Sequence, residues 1–142
     1  SNCLVKFSKC CSPVPGDDIV GFITRGYGVS VHRADCPNVL RSRDNPAEAG
    51  RWIRVSWADK TSEEYHTMLQ VVAKDRISLI VDVSTVLSAT KTRVLSLNAR
   101  STPDGFALLD LGIAVSGRDQ LKTVTSRLEQ IQGVMKVTRP AG

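Results

Sequence analysis

Aromatic side chains are scarce: phenylalanine, tyrosine and tryptophan make up 5% of the 142 residues. With 42% hydrophobic residues in all, any core has to be aliphatic, and the profile is that of a soluble globular chain. No apolar run approaches the roughly 20 residues that a membrane helix requires. No charged-then-apolar leader opens the chain either, so a cytoplasmic protein without a membrane partner is expected. Lysine and arginine form no run; the net charge of +5 divides as +3 through residue 60 and +2 after it. Such a diffuse excess is compatible with a polyanionic partner but does not identify nucleic acid. The chain starts Ser1-Asn2 rather than with methionine, as expected for a piece of something longer.

Four cysteines and two histidines are present, and most of them fall together. Cys10 and Cys11 stand side by side before a Pro-Gly loop, and His32 and Cys36 follow beyond a turn at H-x3-C spacing. Neighbouring cysteines seldom bridge each other and the cytosol disfavours disulfides, so free thiols or a metal are expected. Cys10, Cys11, His32 and Cys36 are the donor types that hold zinc in a closed structural site, with Asp35 as a further oxygen ligand or as the group that orients His32. The competing reading is a small core of buried thiols with a satisfied histidine, and spacing alone leaves the two open. Cys36 as a nucleophile with His32 as its base is the weaker alternative, because nucleophile triads assemble from distant segments. Cys3 reads as incidental, and His66 as a packed or solvated strand residue.

The expected fold class is α+β: a small β-rich Cys/His module over residues 3–60, then a ferredoxin-like βαββαβ unit over residues 64–140. In the first module Leu4 to Phe7, Ile19 to Thr24 and Val29 to His32 read as strands, the last two joined as a hairpin across Gly26-Tyr27-Gly28. Pro37 opens a short helix through about Leu40, capped by Asp35 or Cys36. Trp52 to Ala58 alternates as a strand returning to the same sheet. From His66 the order is strand, helix, strand, hairpin turn at Thr102-Pro103-Asp104-Gly105, strand, helix, strand. The second helix is expected to open at Ser116-Gly117-Arg118-Asp119 as a capping-box variant and to end at Gly133. One sheet face is left bare, and a dimer or contact between the modules would cover it.

In this second unit the first β-α junction is the informative place. Asp75, Arg76, Ile77, Ser78 and Leu79 bring a helix N-terminus, whose N–H groups can hold a carboxylate, beside aliphatic side chains. Leu97, Asn98 and Arg100 on the next strand border the same pocket. A small amino acid satisfies both features; a plain helix cap at Asp75 or Ser78 is the simpler reading. In the first module Arg25, Tyr27, Arg33, Arg41 and Arg43, with Arg51, Trp52 and Trp57 nearby, are candidates for contact with RNA.

The stretches Cys10-Cys11-Ser12-Pro13-Val14-Pro15-Gly16-Asp17, Gly28-Val29-Ser30-Val31-His32-Arg33 and Asp35-Cys36-Pro37-Asn38 closely resemble the C-terminal regulatory half of the Rel/SpoT-type bifunctional (p)ppGpp synthetase/hydrolases. The resemblance implies a conserved-cysteine, zinc-finger-like module followed by an ACT domain. It also implies that the nucleotide chemistry belongs to hydrolase and synthetase domains N-terminal to this region. The implied partners are those catalytic domains, the ribosome and deacylated tRNA, and an amino-acid effector, a branched-chain one given the aliphatic lining. A homodimer through the ACT sheet is a further implied contact, and contact with RNA and ribosome alone is the alternative role. Ser78 stands where many ligand-binding ACT domains carry glycine.

Overall fold

The computed structural model describes residues 4–26, 28–58 and 64–140. Tyr27 and Cys3 lie outside them, as does most of the polar stretch where the sequence places the boundary. The chain separates into two compact units, within Ser1–Ser62 and Glu63–Pro140. Among the described residues no helix is long and apolar enough to cross a membrane.

In the first unit β1 (Leu4–Phe7), β2 (Ile19–Ile23), β3 (Gly28–Arg33) and β4 (Trp52–Arg54) form one sheet in the order β1-β3-β2-β4. The expected hairpin forms, with β2 antiparallel to β3 and Gly21 opposite Val31. Strand β1 adds parallel to β3 on the other side. Helix α1 (Pro37–Arg43) starts with proline at its first position, where no N–H is required, and runs three residues past Leu40. Strand β4 is shorter than the alternation of Trp52 to Ala58 predicts, because its partner runs out. Arg54 pairs with Val20, next to the start of β2, and beyond that start the Asp18 carbonyl is taken by the Ala34 N–H. Trp57 instead stacks on Phe7 at 5.5 Å and donates its indole N–H to the Asp17 carbonyl at 3.0 Å. Cys11, Val14, Val31, Cys36 and Val39 are buried in this small core.

The second unit contains β5 (Tyr65–Lys74), α2 (Leu79–Ala89), β6 (Arg93–Ser101), β7 (Phe106–Val115), α3 (Arg118–Glu129) and β8 (Val134–Thr138). Its sheet is antiparallel, in the order β6-β7-β5-β8. That order is the ferredoxin-like arrangement expected from the element sequence. The period-2 pattern of β7 puts Ala107, Leu109, Leu111 and Ile113 on a buried face. Leu79, Val83 and Leu87 of α2 and Leu121, Val124 and Leu128 of α3 are buried likewise. Each such leucine, isoleucine or valine contributes about 1.5–3 kcal/mol through burial. The opposite sheet face is mixed rather than apolar: Gln70 donates to Asp110 at 3.0 Å across β5 and β7.

The ends of α3 differ from expectation. The Gln120 side chain accepts from the Ser116 backbone N–H and hydroxyl, so the reciprocal cap of a capping box is displaced by one residue onto Ser116. The helix stops at Glu129, leaving Ile131 outside it. Gly133, with φ of +90°, serves the turn into β8 instead.

Candidate metal and effector sites

Backbone hydrogen bonds fold the cysteine loop against the hairpin. The Ser8 N–H donates to the Val31 carbonyl, and the Ser12 N–H closes a tight turn onto the Ser8 carbonyl, each at 2.9 Å. Ser12 then takes a positive φ of 48°, and this reversal lets two adjacent cysteines point into one space. His32 arrives from the end of β3, and Cys36 from the residue before α1. Cys10 Sγ lies 3.5 Å from Cys36 Sγ, 3.4 Å from His32 Nδ1 and 3.9 Å from Cys11 Sγ; Cys11 Sγ lies 3.8 Å from His32 Nδ1. All four donor atoms fall within 4.8 Å of one another, close enough to hold one metal ion.

The surroundings orient these donors. Ser30 Oγ is 3.4 Å from His32 Nε2, which leaves Nδ1 facing the sulfurs, and Trp52 and the imidazole meet in a T-shaped contact at 5.5 Å. The Arg33 N–H donates to Cys11 Sγ at 3.3 Å. Burial pushes the Cys11 thiol up to about 12, and burial lowers His32 below its usual value. Burial also raises Cys10, but hydrogen bonds from Ser8, Asn38, Cys36 and Cys11 outweigh it and leave that thiol below its ordinary value. Asp35 is not part of the cluster: its carboxylate is 78% exposed and pairs with Arg33 Nε at 3.2 Å.

The arginines of the first unit separate into two kinds. Arg25, Arg41 and Arg43 are exposed. Arg33 is buried and turned to Asp35, so this unit does not present it to a partner. Arg51 donates to the Ile23 carbonyl and lies 4.5 Å above the Phe22 ring. Trp52 donates to Ser42, so both tryptophans are held inside the unit.

At the junction of β5 and α2 a cleft of about 250 Å³ opens. Asp75, Arg76 and Leu79 line it. Ile77 is 93% exposed, and Ile77, Ser78, Leu97 and Asn98 are not among the lining residues. Leu97 faces the helices from a position farther along β6, opposite Leu111, and Asn98 opposes Asp110 on the other sheet face. The remaining wall is Ile80, Ala99, Arg100, Ser101, Ala107 and Leu109. Of these only Arg100 was legible; Ala99 and Ser101 follow from the register Ala99↔Leu109 and Ser101↔Ala107, which requires the bulge after Val94. Ser101 donates to Asp75 at 2.7 Å. Arg76 is committed to structure, reaching the Gln132 carbonyl at 3.1 Å and Asp82 at 2.6 Å. Ser78 precedes α2 with φ of +74° and makes no side-chain cap, so its backbone takes the conformation that glycine adopts most easily.

Residues 1–58 match the RelA/SpoT RIS domain and residues 61–139 match the ACT domain. The chain is 37% identical over 142 residues to the GTP pyrophosphokinase of Escherichia coli, covering 99% of this chain and 19% of that protein. It is 38% identical over 136 residues to the bifunctional (p)ppGpp synthase/hydrolase RelA of Mycobacterium tuberculosis, covering 96% and 18% respectively. The chain therefore spans about a fifth of the length of these curated relatives. Among solved structures, the ACT domain from the GTP pyrophosphokinase of Chlorobium tepidum aligns with a TM-score of 0.49 at 25% identity, over 54% of this chain and 99% of that one. The two regulatory modules account for nearly all 142 residues, which do not include the catalytic domains of the relatives. The chain belongs to the ACT-domain family, as the RIS and ACT portion of the RelA/SpoT-type regulatory region.

Proposed function

We propose that this chain senses amino-acid status for a (p)ppGpp synthetase/hydrolase in the cytoplasm, taking a branched-chain amino acid at the β5–α2 junction and acting on catalytic domains of the same chain. The carrying observation is the composition of that cleft. Asp75 supplies a carboxylate for an α-ammonium, and the N–H groups at the start of α2 suit the α-carboxylate; Arg100 also lines the cleft and forms no ion pair with any described residue. Leu79, Ile80, Ala99, Ala107 and Leu109 offer an aliphatic wall to the side chain. A cleft of about 250 Å³ suits a small amino acid rather than a nucleotide.

Calorimetric titration with a panel of amino acids tests this reading. Valine or isoleucine is expected to bind and to raise the Tm in proportion to the logarithm of its concentration. Asp75→Asn is expected to abolish both effects. An unchanged Tm at millimolar valine and isoleucine would refute effector binding.

The cysteine cluster supports a structural zinc in the first unit. A tetrahedral ion with Zn–S near 2.3 Å and Zn–N near 2.0–2.1 Å has S···S edges of about 3.8 Å and S···N edges of about 3.6 Å, and the S···S separations of 3.5 and 3.9 Å and S···N separations of 3.4 and 3.8 Å scatter about those values. Ordinary packing does not require three sulfurs and one ring nitrogen within 4.8 Å of one another. The ion would fix the loop and α1, and with them the exposed Arg41 and Arg43.

A second reading, contact with ribosome and tRNA without an effector, rests on exposed Arg25, Arg41 and Arg43. The exposed edge strand β6, with Val94, Leu95 and Leu97 open to solvent, supports a homodimer through the ACT sheet. Under that reading amino acids give no heat, and affinity for tRNA falls steeply with salt.

A further inference from the structure

The three described cysteines of the first unit are not equivalent. Cys11 and Cys36 are 2% and 0% exposed, whereas Cys10 is only half-buried, so a small solute in water meets Cys10 first. We propose that Cys10 is a site of oxidative modification, with Cys36 as the buried thiol that resolves it into a reversible Cys10–Cys36 disulfide.

Geometry selects the pair. Cys36 Sγ lies 3.5 Å from Cys10 Sγ, nearer than Cys11 Sγ at 3.9 Å. A bridge between the neighbours Cys10 and Cys11 would also have to distort the peptide bond that joins them. The Arg33 N–H meanwhile holds Cys11 Sγ toward β3 at 3.3 Å. An S–S bond measures about 2.05 Å, so Cys10 and Cys36 need their sulfurs about 1.5 Å closer together. Neither residue sits within a strand or a helix. Cys10 belongs to the turn that the Ser12 N–H closes onto Ser8, and Cys36 precedes α1 with extended backbone, φ −64° and ψ 130°. Side-chain rotation and the two loops absorb such a movement without disturbing the sheet.

Hydrogen peroxide is the oxidant, and the chemistry balances. Cys10 Sγ attacks one peroxide oxygen; an S–O bond forms, the O–O bond breaks and hydroxide leaves. Cys36 Sγ then attacks the sulfenic acid at Cys10, forming the S–S bond and expelling the second oxygen as hydroxide. The two thiol protons convert both hydroxides to water, and the two electrons lost by the sulfurs are gained by the peroxide oxygens. The effect on the metal rests on the zinc reading above. Oxidation leaves only Cys11 and His32 as donors where a closed zinc site takes four, so zinc is released. The disulfide joins two segments 26 positions apart that the metal would otherwise join, so its loss does not free the cysteine loop from α1.

The test exposes the 142-residue chain, carrying Cys3→Ser so that Cys10, Cys11 and Cys36 are its cysteines, to hydrogen peroxide as purified and after addition of zinc. Mass spectrometry should find two hydrogens lost per chain without crosslinked dimers. Non-reducing tryptic digestion should join residues 10–25 to residues 34–41, with fragmentation placing the bond on Cys10 and dithiothreitol reversing it. Cys36→Ser should stop at the sulfenic acid, captured on Cys10 by dimedone. Cys10→Ser should slow bond formation about tenfold or more, because only buried thiols remain. A colorimetric zinc indicator should register release in step with the disulfide, after which a chelator no longer changes the Tm. A Cys10–Cys11 bond, crosslinked dimers or an unchanged rate in Cys10→Ser would overturn the proposal, and the mapping of the parent chain decides it where a serine variant does not fold. Zinc held in full with no disulfide at excess peroxide would overturn the modification and leave the zinc reading standing. A Cys10–Cys36 disulfide in protein that takes up no zinc would refute the zinc reading and support the modification.

Discussion

Cys36 tests whether four converging side chains make a chelate or merely a core. It is fully buried, its sulfur lies 3.5 Å from that of Cys10, and serine differs from it by one atom. If an ion is held, Cys36→Ser is expected to drop bound zinc from about one ion per chain to a small fraction, and chelators should lower the Tm of the parent protein but not of the variant. Cys10→Ser should behave alike, whereas Asp35→Asn should keep its metal because Asp35 faces Arg33. Zinc uptake should also acidify a weakly buffered solution, because a buried thiol such as Cys11, raised to about 12, must give up its proton to become a ligand. Elemental analysis decides between the readings. Equal zinc in parent and Cys36→Ser proteins, with a lower Tm in the variant, would leave packing as the role of these thiols.

At the scale of elements, the end of α2 shows how local chemistry hides a boundary. The Lys91 N–H donates to the Ser88 carbonyl and the Thr92 N–H to the Leu87 carbonyl, closing the helix with Lys91 at φ of +55°. Glycine is the usual residue there because a Cβ in the left-handed region costs about 1–2 kcal/mol. Lys91→Gly is therefore expected to stabilise the second unit by roughly 0.5–1 kcal/mol, after the greater freedom of glycine in the unfolded chain is subtracted. Urea unfolding measures it, and a loss of stability would refute it.

The same lysine explains why no stop signal for α2 stood in the sequence, although Leu79, Val83 and Leu87 announced the helix itself. Strand β7 was legible because one face is aliphatic throughout, β5 because Leu69, Val71 and Ala73 alternate with polar or exposed neighbours, and the turn between β6 and β7 because Thr102-Pro103-Asp104-Gly105 is a turn sequence in which Gly105 takes φ of +89°. The true length of β4 was not, since it depends on where β2 runs out rather than on Val55 or Trp57. The convergence of Cys10, Cys11, His32 and Cys36 was legible from donor types and spacing. The wall of the β5–α2 cleft was only half legible: Ala99 and Ser101 carry no chemical signal, and the β6 bulge sets which strand residues face it.

At the scale of the whole molecule, the zinc and the amino acid proposed above fall in different units. The Cys/His cluster lies between residues 10 and 36, and the β5–α2 cleft lies wholly within Glu63–Pro140. A ligand that binds the native state raises the opening free energy of the segments that must be folded to hold it. Hydrogen exchange on the intact chain can therefore follow each unit separately. Zinc is expected to slow exchange in the Ser8–Ser12 loop, β3 and α1 by about tenfold or more wherever opening breaks a ligand bond, corresponding to at least about 1.4 kcal/mol. Valine at saturating concentration should slow exchange at the start of α2, in the final residues of β6 and at the start of β7. If each ligand protects only its own unit, metal and effector act independently. Should zinc also slow exchange around α2, or valine around β3, the units share a cooperative free energy, and either ligand must then change the affinity of the other by the same factor. Protection by valine confined to β3 and α1 would place the amino acid outside the β5–α2 junction and refute the cleft as its site.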